Sequence, residues 1–170
     1  TAVALFRQST FDFVILAVPG GAGPAAASAP AEHGLAPRNN GKALLVAAPA
    51  AGEAGAAGVV VVTLRLTGRL NAMSRAMWRQ LRSVFESIQR STDVRCVLIQ
   101  GEGEAFCAGG DISEYPAFRF DPELLRDFHE NDVWGALQAM LDCDVPIVAH
   151  IAGACMGAGV EIASCCDMRV

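Results

Sequence analysis

The chain has 170 residues and carries 13 Lys+Arg against 18 Asp+Glu, a formal net charge of −5. With that acidic balance no basic face recommends a nucleic-acid partner, and no apolar run is long enough to cross a bilayer. The length suits one ordinary domain with a real core, and the six cysteines lack metal-type C-x-x-C spacing, so they read as reduced, small apolar residues in a reducing compartment.

Residues 1–41 divide into a short mixed apolar segment and an Ala/Gly/Pro tract, Pro19 to Pro37. Such composition buries too little apolar surface to offset its ordering entropy, and it reads as a disordered or linker-like leader. Phe11 to Val18 is interrupted by Asp12 and has neither basic flank nor small-residue cleavage site, so it is a poor signal peptide. Asp12 and Glu32 also disfavour a mitochondrial transit peptide, which leaves the cytoplasm as the expected location.

An ordered domain is expected over residues 42–170. Ala43–Ala48 and Val59–Leu66 read as a hairpin across a Gly/Ala-rich connection. Met73 to Ile88 sets Met73, Met77, Leu81, Val84, Phe85 and Ile88 on one stripe with Arg75, Arg79, Arg82 and Glu86 largely elsewhere, the pattern of an amphipathic helix. Val94–Gln100 is a short apolar strand ending at Gly101, followed by the loop Phe106-Cys107-Ala108-Gly109-Gly110-Asp111. Asp121-Pro122-Glu123 starts a further long helix with a capping carboxylate and a first-turn proline, and Leu124, Phe128, Leu137 and Leu141 mark its expected buried stripe. Asp144-Val145-Pro146 breaks the chain, and Ile147–Ile151 is a strand leading into Ala152-Gly153-Ala154-Cys155-Met156-Gly157-Ala158-Gly159-Val160-Glu161. This succession predicts an α/β fold with a mainly parallel sheet. Trp78 and Trp134 are expected to fill the core, and His129 and His150 have no metal-type spacing.

The two glycine loops carry the chemistry. Small residues allow a ligand to approach the backbone closely, and two backbone N–H groups aimed at one oxygen make an oxyanion hole. A carboxylate one turn into the second helix, Glu161, can face the same cavity as a general acid or base, or merely complement the helix dipole. Cys107 has no histidine partner in view and reads as a packing residue.

Ala105-Phe106-Cys107-Ala108-Gly109-Gly110-Asp111-Ile112, Arg69-Leu70-Asn71-Ala72-Met73 and the segment from Gly153 through Met168 together resemble the crotonase (enoyl-CoA hydratase/isomerase) superfamily. The resemblance implies a crotonase-like spiral of ββα units, with residues 42–170 as the N-terminal half of an acyl-CoA-binding domain that would end before the family's C-terminal helical region. It implies that the N–H groups of Gly110 and Ala158 polarise a thioester C=O, that Glu161 handles the water or α-proton in a partly dry site, and that a further glutamate lies beyond Val170. It places Arg69, Asn71 and Ala72 near the pantetheine and ribose phosphate of coenzyme A, and Asp111 and Ile112 toward its adenine end, with Ala108 in the same binding set. For Asp111 a capping role is an equal alternative. Ala158 stands where many members have glycine, which narrows the approach by one methyl. Coenzyme A enters only as the substrate's handle; no metal or redox cofactor is implied, and the full-length assembly would be a homo-trimer or homo-hexamer. The expected reaction is addition of water to a 2-enoyl-CoA. The alternatives are another crotonase reaction (isomerase, hydrolase or decarboxylase), a scaffold or RNA-binding member disfavoured by the charge, and an inactive fragment.

Overall fold

The structure is a computed structural model that describes residues 45–47 and 58–170; the expected leader over residues 1–41 and the hairpin connection lie outside the described residues. Five strands form one sheet in chain order: β1 (Leu45–Ala47), β2 (Val59–Leu64), β3 (Cys96–Gly101), β4 (Ile147–His150) and β5 (Met168–Arg169). β1 pairs antiparallel with β2, with Val46 opposite Val62, and every later pairing is parallel. The parallel registers put Val62, Ile99 and Ala149 in one row across the sheet and Val97 and Ile147 in another. All five side chains are buried, so one face of the sheet is the floor of the core.

Helix α1 (Arg75–Gln89) buries Met77, Trp78, Leu81, Val84, Phe85 and Ile88 in the same core cluster as that floor. Its start is fixed twice over: the Ser74 hydroxyl accepts from the Met77 N–H (3.2 Å), and the Glu114 carboxylate accepts from the Arg75 N–H (2.7 Å). Both contacts satisfy donors that a helix start leaves without intrahelical partners.

The expected long helix from Asp121 is a helical run in three parts, α2 (Pro122–Asp127), a π-helical stretch Phe128–Trp134 and α3 (Gly135–Leu141). Asp121 caps it as expected, accepting from the N–H groups of Glu123 (2.9 Å) and Leu124 (3.1 Å). The expected buried stripe needs correction. Phe128 and Leu137 are buried, but Leu124 and Leu141 are exposed. The π-type turn is wider than an α-turn and puts the faces before and after it out of phase. Trp134 is likewise exposed rather than part of the core, while Trp78 is fully buried. A short helix, α4 (Ala158–Ser164), follows β4 and buries Ile162 and Ala163.

Candidate functional site

Three segments converge at the ends of the parallel strands. Beyond β2 the chain turns through Arg69–Met73, beyond β3 through Ala105–Ile112, and beyond β4 through Gly153–Gly157. They lie side by side as a small parallel ladder. The Ala108 N–H donates to the Leu70 carbonyl (2.9 Å), the Met73 N–H to Gly109 (2.7 Å) and the Asp111 N–H to Met73 (2.8 Å). On the other side the Cys107 N–H donates to Ala154 (2.9 Å) and the Met156 N–H returns to Cys107 (2.9 Å). Met73 thus faces Gly110, and Cys107 faces Cys155.

Along this seam, at Gly157 and Gly109, it is the left-handed backbone, φ +48° and +118°, and not crowding that calls for glycine, because an added side chain would make only ordinary contacts. A β-carbon at Gly157 would stand 3.6 Å from the Gly109 Cα, and one at Gly109 3.6 Å from the Met156 carbonyl oxygen. Gly153 adopts φ +61°, and any β-carbon there would overlap the Glu104 carbonyl oxygen. That position is closed to other residues for two reasons, conformation and space.

The ladder uses the Met73-facing groups of the first loop and leaves the Gly110 N–H outside it. Ala158 is the first residue of α4, where an N–H has no intrahelical acceptor. Among the hydrogen bonds of the described residues, neither N–H has a protein acceptor. Ala158 is buried, and Gly157 before it is exposed. Two donors are therefore available on adjoining loops.

The remaining expected residues take distinct places. Asn71, buried and at φ +58°, accepts from the Leu66 N–H (3.3 Å) and donates to the carbonyls of Glu102 (2.9 Å) and Ala105 (2.7 Å). Its side chain is spent on holding the first two segments together, so it can present only backbone to a ligand. The buried Asp111 carboxylate accepts from the Ser113 N–H (3.1 Å) and hydroxyl (2.6 Å) and from Arg69 (3.2 Å). It caps the 3-10 turn Ile112–Ala117, the alternative that the sequence left open. Arg69 is half exposed beyond it, Ala72 is buried, Ala108 is half-buried, and Ile112 projects into solvent.

Glu161 lies within electrostatic reach of the first loop. Burial pushes the Cys107 thiol up to about 11, and the Glu161 charge acts in the same direction. The carboxylate itself is exposed. The partly dry surroundings expected around it are not supplied by the described residues. No group of three His, Cys, Asp or Glu side chains among them could hold a metal ion.

Sequence reasoning overlooked Tyr115. Its hydroxyl occupies the place a side chain at residue 110 would take, 2.6 Å from an ideal Gly110 Cβ. The only signal was an aromatic residue four positions after a glycine loop, which no periodicity links to that loop.

A crotonase-type α/β fold with two paired backbone loops is the class these features define. Residues 54–170 match the sequence profile of the enoyl-CoA hydratase/isomerase family, and the chain belongs to that family. It is 34% identical over 115 residues to a probable enoyl-CoA hydratase of Mycobacterium tuberculosis, covering 66% of this chain and 43% of the relative. It is 32% identical over 120 residues to the mitochondrial Delta(3,5)-Delta(2,4)-dienoyl-CoA isomerase of Mus musculus, covering 65% and 36%. Among solved structures, a putative enoyl-CoA hydratase from Streptomyces coelicolor A3(2) superposes with a TM-score of 0.64 at 30% identity, covering 84% of this chain and 50% of that one. A putative enoyl-CoA hydratase/isomerase family protein from Hyphomonas neptunium gives 0.63 at 32% identity, covering 66% and 43%. The chain spans less than half the length of these two curated relatives.

Proposed function

We propose that this chain supplies the oxyanion hole of an acyl-CoA enzyme of the hydratase/isomerase type, with hydration of a 2-enoyl-CoA as its reaction. The observation that carries the reading is the pair of N–H groups, Gly110 and Ala158, left without protein acceptors on loops that hydrogen bonds hold edge to edge. As a nucleophile or base attacks the acyl group, charge builds on the thioester oxygen. Donors already held in place stabilise that charge without reorganising, and losing one typically lowers the rate by about 10²–10³-fold. Glu161 then moves the proton of the added water or of the α-carbon. Arg69, Asn71, Ala72, Ala108, Asp111 and Ile112 form the wall along which the coenzyme A handle runs, with Asn71 and Asp111 contributing through the backbone they fix. No metal or redox cofactor takes part in this scheme. The working assembly is a homo-trimer or homo-hexamer in the cytoplasm. A second reading, double-bond isomerisation, draws support from the dienoyl-CoA isomerases among the relatives.

The experiment is to express the complete coding frame and follow loss of the conjugated enoyl-thioester absorbance with crotonyl-CoA, for the native protein and Glu161→Gln. Hydration that falls by about 10²-fold or more in the variant supports the reading. Migration of the double bond in a dienoyl-CoA without water addition would move the assignment to isomerase. Turnover of neither substrate, or turnover indifferent to Glu161, would overturn it. Reading the frame past Val170 for a second carboxylate tests the hydratase chemistry independently.

A further inference from the structure

We propose that the Tyr115 hydroxyl is a third hydrogen-bond donor to the thioester oxygen, beside the N–H groups of Gly110 and Ala158; this rests on the oxyanion-hole reading above. The phenolic oxygen stands 2.6 Å from where a Gly110 β-carbon would be, and the next ring atom, Cζ, stands 3.5 Å from it. Glycine at 110 and tyrosine at 115 are thus one arrangement: the missing side chain of one is the space filled by the other's hydroxyl.

The ring is held from several sides. It packs against Phe118 with centroids 5.6 Å apart and against Phe128 at 6.4 Å, and the Arg119 guanidinium stands 5.9 Å from its centroid. The backbone carrying it is fixed by the Asp111 cap at the start of the turn and by Glu114, which accepts from the α1 N-terminus. Among the hydrogen bonds of the described residues, none around this turn involves the hydroxyl. A half-buried phenol whose ring is locked and whose O–H is uncommitted has the features of a preorganised donor.

Placed there, it would share the growing charge on the thioester oxygen without giving up its proton, since the oxygen needs a donor and not an acid. The test uses the full-length protein and a chromophoric 3-arylacryloyl-CoA, whose absorption moves to the red when its carbonyl is polarised. Tyr115→Phe should bind the probe as tightly as the native protein but with a smaller red shift, and kcat for crotonyl-CoA should fall by about 10- to 100-fold, less than for a primary donor. Gly110→Ala should reproduce that loss by displacing the hydroxyl, and the double variant should be little worse than either single one, because a phenyl ring leaves room for the methyl. Circular dichroism and thermal melting confirm that each variant is folded. A full red shift and full kcat in Tyr115→Phe would overturn the role of Tyr115 alone. Absence of any red shift in the native protein would instead overturn the oxyanion-hole reading beneath it.

Discussion

Gly159 lies against Cys107 so closely that a β-carbon on Gly159 would stand 2.5 Å from the Cys107 carbonyl oxygen and 3.0 Å from the Cys107 Cβ. The same carbonyl accepts the Met156 N–H that closes the seam between the two loops. Gly159→Ala must therefore push the second loop away from the first. Overpacking of this kind costs roughly 1–3 kcal/mol. Urea unfolding should show that loss, and crotonyl-CoA turnover should fall further than stability alone explains, because the two donors move apart. Native-like kinetics in a folded Gly159→Ala protein would show that the seam does not set the donor spacing.

Asn71 joins the segments after β2 and β3 through three hydrogen bonds to backbone, while sitting at a φ that most side chains avoid. Removing it strands the Leu66 N–H and the Ala105 carbonyl in the interior, at about 1–3 kcal/mol for each buried group, and frees the part-buried Glu102 carbonyl. Asn71→Ala should be strongly destabilised in urea. Asn71→Asp should fail as well, since a carboxylate cannot donate to the Glu102 and Ala105 carbonyls. A mild effect in both would mean that water takes over these bonds.

These residues show what the sequence makes legible. The glycine loops could be read because their chemistry is in the backbone, and small residues in series declare it. Asp121 and Asp111 were readable as caps because capping is local, decided within three residues of chain. Asn71 was recognisable only by resemblance, which assigns it to coenzyme A while its side chain proves to pin backbone. Tyr115 and Glu114 were not readable at all, since each acts on a residue five to 39 positions away through tertiary packing alone. The π-helical stretch hides in a sequence whose apolar spacing fits an ordinary helix, and it is this stretch that carries Asp132 inward.

Asp132 is 3% exposed and sits between two arginines. Arg75 meets it at 2.6 Å, Arg79 meets its other oxygen at 2.6 Å, and Arg75 also reaches Asp127 at 2.9 Å while lying over the rings of Phe118 and Phe128. The Arg75 guanidinium is held above its ordinary value by Asp132 and Asp127, against the opposing pull of burial. Asp132→Asn would leave two arginines facing one neutral amide. Breaking a fully buried pair costs ~3–5 kcal/mol, but Arg79 is 63% exposed, so a loss of roughly 1–3 kcal/mol is expected once solvent screening is included. Because Phe118 and Phe128 also pack Tyr115, the arylacryloyl-CoA red shift should weaken together with the melting temperature. An unchanged red shift in a destabilised variant would separate the ion cluster from the site.

The thiols set a pH limit on stability. Burial pushes Cys107 up to about 11 and Cys166 up to about 12, from an ordinary value of 9.0. In the unfolded chain both titrate near the ordinary value, so above it the native state keeps protons that the unfolded state has released. Unfolding free energy then falls as pH rises. The contribution of these two residues is intact below about pH 9 and is lost progressively as pH climbs through their folded values. Urea midpoints taken from about pH 8 to about pH 11 should decline, and Cys107→Ala with Cys166→Ala, though less stable at neutral pH, should flatten that decline. A thiol reagent at neutral pH should label both positions only as fast as the protein opens, since neither presents a thiolate. A decline of the same slope in the double alanine variant would assign the alkaline sensitivity to other groups.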